Sequence, residues 1–354
     1  VRIVLCSHLG RPKGRDPELS MAPVAGRLGE LLGVEVAVAP GVAGPEVEAA
    51  VAGLAPGSVL LLENTRFEEG EKRNDDDLAD SLAALADLYV NDAFGAAHRA
   101  HASTEGVAHR LPAYSGLLLE REVRELTAVL DDPRRPLVVV LGGAKVTDKV
   151  GVIERFLEIA DEILIGGAMC FSFFRAQGHD TGNSLVEEDG IELAREALDL
   201  AARSACELRL PTDLVLGESF SADAEPVELD GVDVPDGQMG LDVGPATGRA
   251  YAQAVAAAGT VFWNGPMGAF ELPPFAGGTR AVAEAVAATG ATTIVGGGDS
   301  GAALAQFGLA DRVDWLSTGG GASLELIEGK PLPGVEALLE AGEGAAMAAG
   351  EGQG

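Results

Sequence analysis

Leu137-Val-Val-Val-Leu-Gly-Gly-Ala-Lys-Val-Thr-Asp-Lys-Val150, continued by Gly151-Val-Ile-Glu-Arg-Phe-Leu157, is the stretch on which the reading of the fold turns. Leu137 to Leu141 is an unbroken apolar run rich in β-branched residues, the signature of a strand buried on both faces. Gly142 and Gly143 end it. From Val150 the apolar residues fall at Val150, Ile153, Leu157 and Ala160, which is helical spacing. Lys145 and Lys149 stand between strand and helix, four apart and on one face if both are helical. The chain has only five lysines (Lys13, Lys72, Lys145, Lys149 and Lys330) within a formal net charge of −30. Two of so few at one strand-to-helix junction point to anion chemistry. Ligands of open α/β sheets lie beyond the carboxyl ends of the strands, and helix N-termini favour phosphate. The alternative is a pair of solvated lysines in a first helical turn.

A length of 354 residues accommodates two domains with proper cores. A hydrophobic content of 47% and a mean hydropathy of +0.18 fit a well-buried globular chain and argue against disorder. No apolar run reaches membrane-spanning length, and these residues hold no basic n-region with a cleavage site. Cys6, Cys170 and Cys206 are scattered without metal or redox spacing. A reducing, cytoplasmic setting is therefore expected. A pI near 4.4 argues against nucleic acid and anionic membranes as partners, because an acidic field repels both. Four of the five histidines precede residue 111, with a modest excess of the arginines. A local basic site in an acidic protein suits a small, multiply charged anion.

In chain order, Val1 to Cys6 reads as a strand leading into the glycine-bearing loop Ser7-His8-Leu9-Gly10-Arg11-Pro12-Lys13-Gly14. Ser20 caps a helix with apolar residues at Met21, Val24, Ala25, Leu28, Leu31 and Leu32. Leu60 to Leu62 is a short strand running into Glu63-Asn64-Thr65-Arg66-Phe67. Asn74 with Asp75, Asp76 and Asp77 opens a helix, acidic where the helix dipole prefers it. Leu88 to Val90 is a strand ending in a loop that carries His98, Arg99 and His101. Arg11, Arg66 and Arg99 thus follow three strands, and guanidinium forks bind phosphate and carboxylate bidentately. A shared anion site is the expectation.

Leu119, Val123, Leu126 and Leu130 mark a helix closed by Asp131-Asp132-Pro133, a bridge between two domains. A second α/β series follows, with strands at Leu137–Leu141, Ile163–Ile165, Leu214–Leu216, Val261–Trp263, Thr293–Val295 and Val313–Leu316 and a long helix from Ile191 to about Arg203. Asp230-Gly231 and Asp236-Gly237 mark turns in an irregular acidic segment. Beyond Glu340 a Gly/Ala/Glu-rich tail is expected to be loose.

Gly296-Gly-Gly-Asp-Ser-Gly301 matches the dinucleotide-binding pattern between a strand and a helix, which keeps a nicotinamide-dependent oxidoreductase open. The match falls late in the chain, and glycine-dense loops meet the pattern by chance. No G-x-x-x-x-G-K-[ST] loop and no protein-kinase motif set is present. Asp299 suits Mg²⁺ held through nucleotide phosphates, and equally a helix N-cap. His8, His98 and His101 lack metal spacing.

Seven motifs together are similar to those of the phosphoglycerate kinase family: Ser7–Pro12, Leu62–Phe67, Asp92–His101, Leu141–Lys149, Trp263–Glu271, Gly296–Ser300 and Ser317–Ser323. They occur in family order from residue 7 to about residue 330. The resemblance implies two doubly wound, Rossmann-like parallel-sheet lobes joined by a hinge helix. The expected divisions are a phosphoglycerate-binding lobe at 1–115, an interdomain helix at 116–132, a nucleotide-binding lobe at 133–330 and a tail at 331–354. It implies reversible phosphoryl transfer from 1,3-bisphosphoglycerate to MgADP, giving 3-phosphoglycerate and MgATP, by a monomeric glycolytic enzyme. His8, Leu9, Gly10, Arg11, Arg66 and Arg99 are implied to bind the phosphoglycerate. Gly143, Ala144, Lys145, Lys149, Gly167, Gly240, Asn264, Glu271, Gly297, Gly298, Asp299 and Ser300 are implied to bind nucleotide, with Glu271 on the ribose and Asp299 on the Mg²⁺. Lys149, Lys145 and Gly297 are the expected catalytic positions, since phosphoryl transfer needs positioning and charge stabilisation rather than a covalent nucleophile.

Family members carry a few dozen residues ahead of Ser7, with a strand bearing Asp-x-Asn and, later, a catalytic arginine. Without them this chain is expected to be a fragment that turns over poorly while keeping its nucleotide lobe. The missing strand is expected in the interior of the first sheet, leaving backbone edges and apolar faces exposed. A non-catalytic nucleotide-binding remnant is the further alternative. Ser300 stands where Thr is usual in the family, and Ala168 where glycine is.

Overall fold

The computed structural model describes the backbone of residues 1–351 and the side chains of residues 1–342. The chain forms two compact units, residues 1–120 together with those from Pro331, and Arg121–Lys330.

The first unit contains β1 (Ile3–Leu5), α1 (Ala22–Leu32), β2 (Val36–Val38), α2 (Pro45–Ala52), β3 (Val59–Leu61), α3 (Asp76–Ala83), β4 (Tyr89–Asn91) and β5 (Ala113–Ser115). Its parallel strands fall into a three-stranded sheet, β1-β3-β2, and a separate pair, β4-β5. The core gathers Val42, Val47, Leu60, Leu62, Ala79, Ala102 and Val107. Each βα connection here must begin with a polar loop, because a three-residue strand buries too little to hold more. Strand β1 is shorter than the sequence suggests. Asp75, not Asn74, caps α3, its side chain accepting the Leu78 N–H at 3.2 Å. Ser20 sits one residue outside the N-cap position of α1 and donates to Glu63 at 2.8 Å, while its hydroxyl accepts the Ala22 N–H at 3.2 Å.

Helix α4 (Leu117–Asp131) crosses the division between the units in sequence. The second unit continues with β6 (Leu137–Leu141), α5 (Val150–Ile159), β7 (Glu162–Ile165), α6 (Cys170–Gln177), α7 (Gly190–Ala201), β8 (Glu207–Arg209), β9 (Leu214–Gly217), β10 (Val227–Leu229) and β11 (Met239–Val243). Then come α8 (Pro245–Ala257), β12 (Thr260–Asn264), α9 (Gly277–Ala288), β13 (Thr292–Gly296), α10 (Gly298–Gln306), β14 (Trp315–Leu316) and α11 (Gly321–Ile327). Six parallel strands lie in the order β14-β13-β12-β6-β7-β8. All five residues of β6 are buried, as its apolar run demands. The chain builds outward from β6 in one direction through β7 and β8 and in the other through β12, β13 and β14. The order therefore reverses between β6 and β12, and a crevice opens there at the carboxyl ends.

Two features depart from the sequence reading. The acidic stretch expected to be irregular contributes β10 and leads to β11, and both pair antiparallel with β9 in a second, three-stranded sheet. The expected loose tail is helical, as α12 (Pro333–Glu351), and groups with the first unit. Leu332, Ala337 and Leu338 are buried there, and the Gly334 N–H donates to the Ala97 carbonyl at 2.8 Å. Composition alone does not register that the chain ahead of Glu340 is anchored by Ala337 and Leu338 within the helix and by Leu332 just before it.

Candidate active site

At the crevice three strand-end loops are tied to one another by backbone alone. Gly142 and Gly143 donate to the carbonyls of Asn264 and Pro266, both at 3.0 Å, and Gly167 donates to Met267 at 2.9 Å. The Met169 N–H closes the set on the Gly143 carbonyl at 3.0 Å. Such close approach leaves no room for side chains. A Cβ on Gly167, whose φ is +66°, would lie 2.4 Å from the Gly143 nitrogen and 2.8 Å from the Pro266 oxygen. Gly143 itself has φ +98°.

A cleft of about 890 Å³ opens beside these loops. Gly143, Ala144, Gly167, Gly240, Glu271 and Asp299 of the expected nucleotide set line it. Phe171, Leu214, Phe220, Met239 and Leu241 also line it. Glycine backbone and carboxylates together with apolar side chains suit a molecule with a phosphate tail and an aromatic base.

Lys149 and Lys145 do not share a helical face, because α5 begins only at Val150. Lys145 is exposed, whereas Lys149 is buried and donates to the Asn264 side-chain oxygen. Burial lowers the Lys149 ammonium from 10.5 to about 8, against the opposing pull of Asp148 and Asp299. Asn264 in turn packs against the β13 loop, its amide nitrogen 3.1 Å from where a Cβ on Gly297 would stand. Lysine, amide and glycine loop thus pack together at the carboxyl ends of β6, β12 and β13. Ser300 is fully buried, and its hydroxyl accepts the Gly265 N–H at 2.7 Å, so it braces the loop. Gly298 and Asp299 are exposed in the first turn of α10, where backbone N–H groups face outward.

Sequence reasoning missed Asp242 and Thr279. Asp242 lines the cleft almost fully buried, accepting N–H groups from Val243 at 2.9 Å and Gly278 at 2.7 Å. Burial pushes its carboxyl up to about 7, and the N–H bonds from Gly278, Val243 and Gly277 hold it from rising further. The Thr279 hydroxyl accepts from Met267 at 3.0 Å and Gly268 at 3.3 Å. Thr279 thereby fixes the loop that carries the exposed Glu271, and Asp242 fixes the start of α9. An isolated Asp in an apolar strand and a Thr in a helix carry no motif, so only the packing reveals them.

The first unit gathers cations. Burial lowers the Arg66 guanidinium, and the charges of Arg99 and Arg11 lower it further while Glu71 opposes them. His8 is lowered by burial first, then by Arg66, with His101 and Arg99 also within electrostatic reach. Arg66 donates to the Gly10 carbonyl at 2.7 Å, while its buried Nε has no partner among the described residues. Arg99 is exposed and donates to the His98 ring at 3.0 Å. Arg11, Leu9 and Gly10 are exposed on the neighbouring loop.

Asn64 explains how these loops hold their places. Its amide donates to the Leu9 carbonyl at 2.8 Å and the Leu19 carbonyl at 2.9 Å, and its oxygen accepts the Arg66 N–H at 3.1 Å. Glu63 accepts from Ser20, from Met21 at 2.7 Å and from Asn64 at 2.8 Å. Burial would raise its carboxyl, but those bonds outweigh burial and hold it below the usual range. Leu62–Phe67 therefore supplies both an arginine and its scaffold.

The phosphoglycerate kinase family model matches residues 1–330. The chain is 57% identical over 341 residues to a phosphoglycerate kinase of Moorella thermoacetica, covering 96% of this chain and 86% of that protein. It is 53% identical to a cytosolic phosphoglycerate kinase 3 of Arabidopsis thaliana, with the same shares covered. Among solved structures, phosphoglycerate kinase from Coxiella burnetii matches with a TM-score of 0.84 at 41% identity, over 96% of this chain and 86% of that one. The Pyrococcus horikoshii enzyme matches with a TM-score of 0.85 at 32% identity, over 96% and 87%. Fold, strand-end loops and sequence agree, and the chain belongs to the phosphoglycerate kinase family.

Proposed function

We propose that this protein transfers a phosphoryl group reversibly between 1,3-bisphosphoglycerate and ADP, as a glycolytic phosphotransferase. The observation that carries the reading is the buried Lys149, bonded to Asn264 at the β6/β12 crevice where Gly143 and Gly167 line a cleft. Family membership sets aside the oxidoreductase reading of Gly296–Gly301. The cleft of the second unit takes the nucleotide, base toward Phe171 and Leu241 and phosphates toward Gly143, Gly297 and Gly298. Glu271 meets the ribose. The cationic loops of the first unit, His8 to Arg11 with Arg66 and Arg99, take the phosphoglycerate. Transfer requires the two ligands to meet, so turnover proceeds by closure of the units about α4.

Lys149 is the catalytic ammonium in this reading. It is held by Asn264 and neutralises charge on the phosphoryl group in transit, with Lys145 beside it. Gly297 keeps the phosphate path free of side chains. Among the described residues no group of three His, Cys, Asp or Glu could hold a metal ion. The exposed Asp299 carboxylate at the cleft fits Mg²⁺ that arrives on nucleotide phosphates, where the ion would supply charge neutralisation. No helix of the described residues is long and apolar enough to cross a membrane. Residence in the cytosol as a monomer completes the proposal, in keeping with relatives named cytosolic.

Calorimetric titration of MgADP, then of 3-phosphoglycerate, into the purified chain tests the assignment. Binding of MgADP with no response to NADH is expected, and a folded sample that ignores MgADP would overturn the nucleotide site.

A further inference from the structure

Beneath the cationic loops of the first unit lies a buried acid that none of the motif readings singled out. Glu71 is 1% exposed. One carboxylate oxygen accepts from the Ser103 hydroxyl at 2.6 Å and the Thr65 hydroxyl at 3.2 Å, and the other accepts the Ser103 N–H at 3.1 Å. Its backbone carbonyl takes the Ala102 N–H at 3.0 Å. His101 Nδ1 stands 3.6 Å from the carboxylate. Thr65 directly precedes Arg66, and Ser103 follows His101 by two residues and Arg99 by four. One side chain therefore fastens both arginine-bearing loops.

We propose that Glu71 is the positioning residue of this anion site, bracing the Arg66 loop against the Arg99–His101 loop and supplying their counter-charge before a ligand arrives. The inference rests on the reading of these loops as the phosphoglycerate site. The Arg11, Arg66 and Arg99 guanidinium groups, brought close without an anion, repel one another, and a fixed buried carboxylate makes that arrangement tolerable. A ligand then meets guanidinium groups already placed, at little ordering cost. Burial would raise the Glu71 carboxyl, but bonds from His101 and Ser103 outweigh it and hold the group ionised. The groups within reach of His8 are Arg66, Glu71, His101 and Arg99; of these only Glu71 favours its protonated form.

Two variants test this in the purified chain, with 3-phosphoglycerate as probe, MgADP as a control for the second unit, and the His8 imidazole followed by NMR across pH. Glu71→Gln keeps the size and removes the charge. Its 3-phosphoglycerate affinity is expected to fall at least ~10-fold, with MgADP affinity unchanged, and the His8 midpoint moves down. Ser103→Ala keeps the charge and removes the shortest bond. It is expected to weaken the probe by about 5-fold and leave the His8 midpoint in place. Unaltered or tighter probe binding by Glu71→Gln, or an unmoved His8 midpoint, overturns the proposal. Should Glu71→Gln fail to fold, wild-type probe affinity in Ser103→Ala overturns it instead. A wild-type chain that ignores 3-phosphoglycerate refutes the substrate reading alone, and the His8 midpoint then decides the role of Glu71.

Discussion

In the second unit every residue of β6 and β12 is buried, while in the first unit Ile3, Leu88, Val90 and Tyr114 are 44–58% exposed. The six-stranded sheet has strands of up to five residues, with β6 and β12 wholly buried; the strands of the first unit have three, and only β3 is wholly buried. The proposed sites follow suit. The cleft proposed for the nucleotide is bordered by glycine loops bonded to one another through N–H and carbonyl groups. The proposed anion site is made of long side chains, on loops tied by Glu63, Asn64 and Glu71. A site of backbone tolerates almost no added atoms at its centre, and a site of side chains depends on a few buried polar groups.

The sharpest test of that contrast adds one methyl group to each site. Gly167→Ala would drive a Cβ into the Gly143 backbone at 2.4 Å, with φ at +66°. Neither loop can move without breaking bonds to the other, so MgADP affinity should fall at least ~100-fold by calorimetry. Gly10→Ala has a similar φ of +63°, but its new methyl meets the tip of Leu19 at 2.9 Å. That side chain can turn aside, leaving about 1 kcal/mol of backbone strain to be read by denaturant unfolding. Equal losses in the two variants would break the comparison.

Lys149 extends it to pH. Its ammonium lies at about 8 in the folded chain against an ordinary 10.5, because burial removes water from the charge. Between those values the unfolded chain binds the proton and the folded chain does not, so stability rises with pH across that window. Lys149→Met should abolish the rise and equal or exceed the wild type below pH 8, by up to about 3 kcal/mol, while losing affinity for MgATP. Urea unfolding at pH 7 and pH 10 checks the sign. A stability that falls over this interval in the wild type would contradict the burial of Lys149.

Much of this was legible because it rests on local pattern. The run Leu137–Leu141 carries the length and β-branched content of a doubly buried strand, and the glycines after it mark its end. Arg66 was visible as a charge after a strand. Its scaffold was not, because Glu63, Asn64 and Glu71 read as ordinary surface polar residues until long-range hydrogen bonds join them to Met21, Leu9 and Ser103. The helical spacing of Lys145 and Lys149 misled for a related reason. Periodicity places side chains only within a helix, and α5 starts one residue after Lys149. The pairing of β10 and β11 with β9 was hidden as well, since the long connections at 218–226 and 230–238 replace the tight turns that announce a hairpin in sequence.

The smallest effects come from one substitution made in both units. Val139 lies at the centre of β6, is 0% exposed and belongs to a strand flanked by β12 and β7. Val90 lies on β4 and is 49% exposed. Threonine matches valine in shape and strand preference, so the change isolates the cost of placing a hydroxyl. At position 139 that hydroxyl leaves water for an apolar interior, and Val139→Thr should destabilise by about 2 kcal/mol. At position 90 it stays hydrated, and Val90→Thr should lie within about 0.5 kcal/mol of the wild type while lowering the binding of an apolar dye. Denaturant midpoints that shift equally would mean that the β4 surface is covered in solution.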